Sequence, residues 1–341
     1  MKNYSVQNLS SWRGALLSLV CLGSLPLAQA EPFNTTRYVR IDHMHHTAYI
    51  HDENFKRLPD NPLIAGTSVD PLPADKPRWF LGAKVDVVHR NHHTGEVHVM
   101  STNPAYSEMN HHFVWAYRSP NRPLTERCPS NLPIGTGSEL THIRLPAGYG
   151  YKMHGGFLMG GTWHWENPAN VSHHEDVYLR YVFQFDDNPT GYRDTHVSWV
   201  GMVPCTEEFP VPSGKSTKEG PPLVADRHLR IVAVMPHVHD HAKYIELRKN
   251  GKLLRRFKPE YAAVPVSHDD VGQGKTLLHV HEDHMPVEGL SMWAPGIYGP
   301  IVRKGEALTP FGAFENPHPI AIDNMAMFII FWEEVSGDPG S

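Results

Sequence analysis

Histidine stands at alternate positions in His237-Val238-His239-Asp240-His241, directly after the apolar run Leu229 to Met235. In a strand, residues i and i+2 face the same way, so H-x-H offers two imidazoles to one metal ion without help from loops. The same spacing occurs at His43/His45 and His279/His281. His237 and His239 stand apart because they end an apolar strand, where a buried imidazole needs a hydrogen-bonding partner or a metal. His279 to His284 lies in a more polar setting and reads as an exposed cluster. All 25 histidines follow residue 30. A His-rich chain points to metal binding on composition, although for most of the 25 a surface or core role is the plainer reading.

The neighbours His111 and His112 pose a different problem, because adjacent strand residues point to opposite faces. Both can reach one ion only at a bulge or strand end; otherwise one is exposed and the other packed. His164, between Trp163 and Trp165, is equally a ligand or a packed core histidine on spacing alone. A zinc hydrolase is disfavoured: HVHDH is one residue short of the metallo-β-lactamase pattern H-x-H-x-D-H, and that fold needs helices. A histidine-brace oxygenase needs histidine as its first mature residue, whereas the expected one here is Glu31.

The elements that must carry these residues are short. The chain holds 30 prolines and 27 glycines, which leaves little room for long helices. Apolar segments alternate or run briefly at Tyr178 to Phe185, Leu229 to Met235 and Met325 to Trp332. Tyr244 to Phe257 reads as a hairpin about Asn250-Gly251, the strongest two-residue turn signal. The fold class expected is all-β: two antiparallel, jelly-roll-like β-sandwich domains with a cleft between them. Thr206 to Pro222 lacks a hydrophobic period and reads as a linker. It would divide a first domain at 31–205 from a second at 223–336, with a loose lead-in at 31–37 and a tail at 337–341.

Residues 1–30 read as a cleaved signal peptide, with Lys2 and Arg13 giving a positive start, an apolar run from Gly14 to Pro26, and a small-x-small cleavage site at Ala28-Gln29-Ala30. The mature chain is therefore expected to be exported, to the periplasm or outside the cell, with no membrane span. With 31 basic against 36 acidic residues and a net charge of −5, nucleic acid is a poor partner. Of three cysteines, Cys21 lies in the leader, and Cys128 and Cys205 remain as one pair or two separate thiols.

Taken in order, these pieces resemble the copper type II, ascorbate-dependent monooxygenases, the family of peptidylglycine α-hydroxylating and dopamine β-monooxygenases. The resemblance runs over roughly residues 105 to 335. It rests on HHFVWAY at 111–117, RLPAGYGYKM at 144–153, TWHWENP at 162–168, VMPHVHDHAKYIELRKNGK at 234–252 and DNMAMFIIFW at 323–332. It implies two mononuclear copper ions, one on His111, His112 and His164, the other on His237, His239 and Met325. In an apolar strand Met325 alone would be ordinary core filling; the order of motifs makes it a ligand. The resemblance further implies that the His237/His239/Met325 centre handles O2 and the substrate C–H bond. The all-histidine centre would store and pass an electron, with ascorbate or another donor refilling both.

The departures concern the substrate. Peptide-hydroxylating members carry Arg, Asn and Tyr where this chain has Met235, Met327 and Ile329. Apolar side chains cannot replace charge-assisted bonds to a peptide carboxylate. The expected substrate is therefore a small, largely apolar molecule, taken with O2, in a pocket that includes Met235, Met327 and Ile329. The competing reading is an exported copper-binding protein for storage or transfer that kept the ligands without the chemistry. The histidines of residues 38–104 match no part of the family pattern.

Overall fold

In a computed structural model of the chain, the described residues are 33–40, 47–50, 78–90, 94, 96–99, 109–118, 134–137, 142–153, 157–166, 177–188, 190–204, 208–239, 241–261, 266–267, 283–284 and 287–337. The expected signal peptide, Cys128, Cys205, His43, His45, His279 and His281 lie outside them. The architecture is all-β. Among the described residues no α-helix occurs and helical conformation is limited to 3-10 turns, as at Gly296–Tyr298, and no helix is long and apolar enough to cross a membrane.

Two groups of sheets form. In the first, Phe33–Arg40, Val177–Asp186, Arg78–Arg90, Tyr149–Met153 and Arg193–Asp194 lie side by side in that order. A second sheet of this group runs Thr47–Ile50, Phe157–Glu166, Met109–Arg118, Ile134–Gly137. Named pairings are antiparallel except Arg193–Asp194 on Tyr149–Met153, which is parallel. Trp79, Phe80, Leu81, Ile143, Leu145, Tyr151, Met153 and Phe185 are buried. The Phe80 and Phe185 rings meet edge-on at 6.1 Å.

The second group is a sandwich. One sheet runs His196–Gly201, Ala326–Glu334, Leu229–Val238, Ile301–Val302; the facing sheet runs Gly214–Glu219, Ala307–Asn316, Ala242–Lys249, Lys252–Phe257. Val234, Val238, Phe328 and Ile330 of the first interleave with Ile245, Leu247, Leu308 and Phe314 of the second in one buried cluster. Phe257 and Phe328 touch across the layers with centroids 5.5 Å apart. The Asn250-Gly251 hairpin forms as expected, with Lys249 paired to Lys252. Both turn residues take positive φ, 49° and 75°, the conformation an Asn-Gly turn is suited to.

Several sequence expectations need correction. Within the lead-in expected to be loose at 31–37, the described residues from Phe33 on are a strand: Phe33–Arg40 pairs along its whole length with Val177–Asp186. The segment read as a linker holds two strands. Phe209–Val211 pairs with Ile322–Asn324, and Gly214–Glu219 pairs with Ala307–Asn316. Its missing hydrophobic period has a physical cause, since Gly214–Glu219 is an edge strand and polar, Lys-bearing edges protect a sheet from further pairing. His196–Gly201 lies before the expected linker yet pairs with Ala326–Glu334 in the second sandwich. Among the described residues no partner is paired to Pro236 on the flank away from Ala326–Glu334, where a strand tolerates proline: Ile301–Val302 pairs with Leu229 and Arg230, and Trp293 bridges to Val234.

The two groups meet at Glu333. Its carboxylate pairs with Arg230 of its own sheet at 2.7 Å and with Arg193 of the first group at 2.7 Å. The Tyr149 hydroxyl donates to the same carboxylate at 3.1 Å. Burial first, then the bond and the negative charge of Glu333, push the Tyr149 phenol above its ordinary range.

Candidate metal centre

Leu229–Val238 and Ala326–Glu334 run antiparallel, with Met235 opposite Ile329, His237 opposite Met327 and Val238 opposite Ala326. The ladder continues one step past both strands, where the His239 N–H donates to the Met325 carbonyl at 2.9 Å. Directly opposed residues of an antiparallel pair share a face. Met235, His237, His239, Met325, Met327 and Ile329 therefore lie on one side of the sheet. Val234, Val238, Ala326, Phe328 and Ile330 lie on the other, in the sandwich core.

The two imidazoles are perpendicular, with ring centroids 5.1 Å apart. His239 is 5% exposed, and the side-chain nitrogen Nε2 of His237 is buried. Two imidazoles sharing one ion at a nitrogen distance of about 2.0 Å in tetrahedral geometry have centroids about 5 Å apart. The observed spacing therefore suits one shared ion. Among the described residues no three His, Cys, Asp or Glu side chains converge. A third ligand within the described residues must then be of another type, and the register places the Met325 thioether-bearing residue directly beside His239. Two imidazole nitrogens with a thioether would make a donor set that fits a soft or borderline transition metal.

Met235, Met327 and Ile329 extend the same face and are buried at 2%, 5% and 4% exposure. Trp199 lies opposite Ile329 and Gly201 opposite Met327 on the third strand. Trp199 thus joins Met235 and Ile329 in one row, a position that no motif signalled; the alternation in HVSWVG is the signal that could have placed it.

The second expected set lies on another strand pair. Met109–Arg118 pairs with Phe157–Glu166 so that Asn110 faces Trp165 and His112 faces His164. His111 is the extra residue between these two pairs, so the ladder bulges at His111. The backbone brings His111, His112 and His164 to neighbouring positions and supplies the irregularity that adjacent ligands require.

His241 does not continue the alternation of His237 and His239. Its φ of 63° turns it out of the strand. Its ring meets that of His318, centroids 5.3 Å apart, a neighbour that no spacing argument found.

No family model matches the sequence. The chain is 26% identical over 207 residues to the probable copper-dependent oxygenase M1 of Phoma sp. (strain ATCC 20986 / MF5453), across 55% of this chain and 50% of that protein. The chain thus spans about half the length of the curated relative it matches. Among solved structures, PNGase F, a glycosylasparaginase from Flavobacterium meningosepticum, overlaps 90% of this chain and 97% of its own at 10% identity. Its TM-score is 0.32, which is too low to carry an argument.

Proposed function

We propose that this chain is an exported copper-dependent monooxygenase. It would hydroxylate a C–H bond of a small, largely apolar molecule with O2 and an external reductant such as ascorbate. The observation that carries the reading is the register that sets Met325 against His239, beside His237. Imidazole suits copper in either oxidation state, and a thioether favours Cu(I). The relative whose name is probable copper-dependent oxygenase supports the same metal and the same broad reaction class.

Copper held by His237, His239 and Met325 would supply one-electron chemistry toward O2. The protein's own part is to hold, shield and select. The hydrogen bond from His239 N–H to the Met325 carbonyl fixes the spacing of two ligands through the backbone. Met235, Met327 and Ile329 make the adjoining face apolar and keep water from it. None of the three can pair with a carboxylate, so recognition there depends on burial of apolar surface. His111, His112 and His164 are assigned the electron-storing set.

The test is O2 consumption by the copper-loaded chain with ascorbate, measured together with a hydroxylated product. Met325→Leu should abolish the coupled reaction, and unchanged activity in that variant would refute the assignment of the O2 site. Tight copper binding with no turnover of any apolar substrate would favour a storage or transfer protein instead. Turnover of a glycine-extended peptide would overturn the substrate class.

A further inference from the structure

We infer that His241 and His318 form a further, solvent-accessible metal-binding pair, separate from the two sets assigned above and suited to a d10 cation such as Zn2+ or Cu+. The pair stands on its own geometry and does not depend on the function proposed above.

His241 is one of two non-glycine residues with positive φ among the described residues; the other is Asn250 of the hairpin turn. Asn and His are the kinds of residue most tolerant of that conformation, yet for any non-glycine residue it is uncommon and carries a cost of order 1 kcal/mol. A strained backbone of this kind points toward a function for the side chain it re-aims. Here the turn moves the imidazole off the face shared by His237 and His239 and sets it against His318. The rings lie 5.3 Å apart at 78°. That closely repeats the 5.1 Å and 90° of His237 and His239.

Each imidazole is carried on backbone anchored without any ion. The His241 carbonyl accepts from the Glu315 N–H at 2.8 Å, which ties the turn to the end of Ala307–Asn316. On the other side, Asn316 is 1% exposed. Its Nδ2 donates to the Val211 carbonyl at 3.1 Å and to the Ile320 carbonyl at 2.8 Å. Its Oδ1 accepts from the His318 N–H at 2.9 Å. Pro317 and Pro319 flank His318 and stiffen the loop further. Two ligands placed in advance spare a cation the cost of ordering them. Both residues are half-buried, so the pair is accessible from solvent.

The experiment is titration of the chelator-treated full chain with Zn2+, comparing wild type, His241→Asn, His318→Asn and the double variant. Asn preserves the left-handed backbone at position 241. Each single variant should lose the same one equivalent of Zn2+ or weaken it at least tenfold, and the double variant should lose no more than either alone. Wild-type binding in either single variant overturns the inference, and so does an additive loss of two equivalents in the double. A second measurement uses the unaltered chain: diethylpyrocarbonate modification mapped by mass spectrometry, with and without Zn2+. His241 and His318 should become protected over the same Zn2+ range, and modification that Zn2+ leaves unchanged overturns the pair. His237→Asn and Met325→Leu must leave this equivalent in place, so failure of the oxygenase reading would be recorded separately.

Discussion

His237 and His239 alternate along a strand whose ladder to Ala326–Glu334 is regular around them. His111 and His112 are neighbours on a strand that bulges at His111 before His112 can face His164. The two candidate sets gather their histidines in opposite ways. One uses the natural two-residue period of a strand and needs no irregularity; the other spends an extra residue to defeat that period. In the proposed assignment the first design also takes its third ligand, Met325, from the next position of the same ladder, where the backbone bond to His239 fixes its register.

The sharpest way to break this comparison is to remove the sulfur. Met325→Leu nearly conserves volume and should cost less than about 1.5 kcal/mol of stability, yet reduce coupled hydroxylation by at least about 100-fold. A Cu-edge X-ray spectrum of the reduced protein should lose its sulfur scatterer. A sulfur signal that survives would place the thioether elsewhere.

Removing His164 asks the converse question. His164→Ala should release one of two copper equivalents while the sulfur signature of the other set persists. Release of both, or of neither, would show that the two sets are not separate centres.

Glu333→Ala leaves two arginines from different sheet groups without their shared carboxylate and should cost about 3 kcal/mol by thermal unfolding. Copper stoichiometry at both sets should be unchanged, because no ligand is touched. Loss of metal in this variant would mean that the two centres depend on one another for assembly.

The smallest effect is on pH. The Tyr149 phenol is held above its ordinary value by burial and by Glu333. A group whose folded pKa is raised contributes fully below its unfolded pKa, near 10, and the contribution fades as pH climbs toward the folded value. Wild type should therefore lose stability more steeply above pH about 10 than Tyr149→Phe, which has nothing to titrate there. Parallel curves would remove Tyr149 from the contact.

Much of this was legible in the chain. Leu229–Val238 and Val177–Asp186 show as apolar or alternating runs, and Asn250-Gly251 announces its hairpin. The H-x-H spacing places His237 and His239 on one face, and the neighbouring His111 and His112 call for a bulge that the backbone has. What escaped had weak local signals. Gly214–Glu219 is polar because it is an edge strand, so it resembles a linker in composition. His241 keeps the two-residue spacing of its neighbours but leaves their face through a single backbone dihedral, which no periodicity can reveal. The pairing of His318 with it depends on a tertiary approach between two turns.

Glu333 and Met325 lie on the same strand-and-ladder line, eight residues apart, which at the rise of an extended chain is roughly 26 Å. One end is pinned to the first sheet group by Arg193 and Tyr149; the other carries the sulfur. Without its neighbours the strand would be a lever with its fulcrum at the carboxylate. A tilt of roughly 5° about that point displaces the far end by roughly 2 Å, about the length of a metal–ligand bond. Ladder pairing with Leu229–Val238 on one flank and His196–Gly201 on the other holds the strand against such a tilt, so the sheet, not the ion pairs at Glu333, sets the position of the distant thioether.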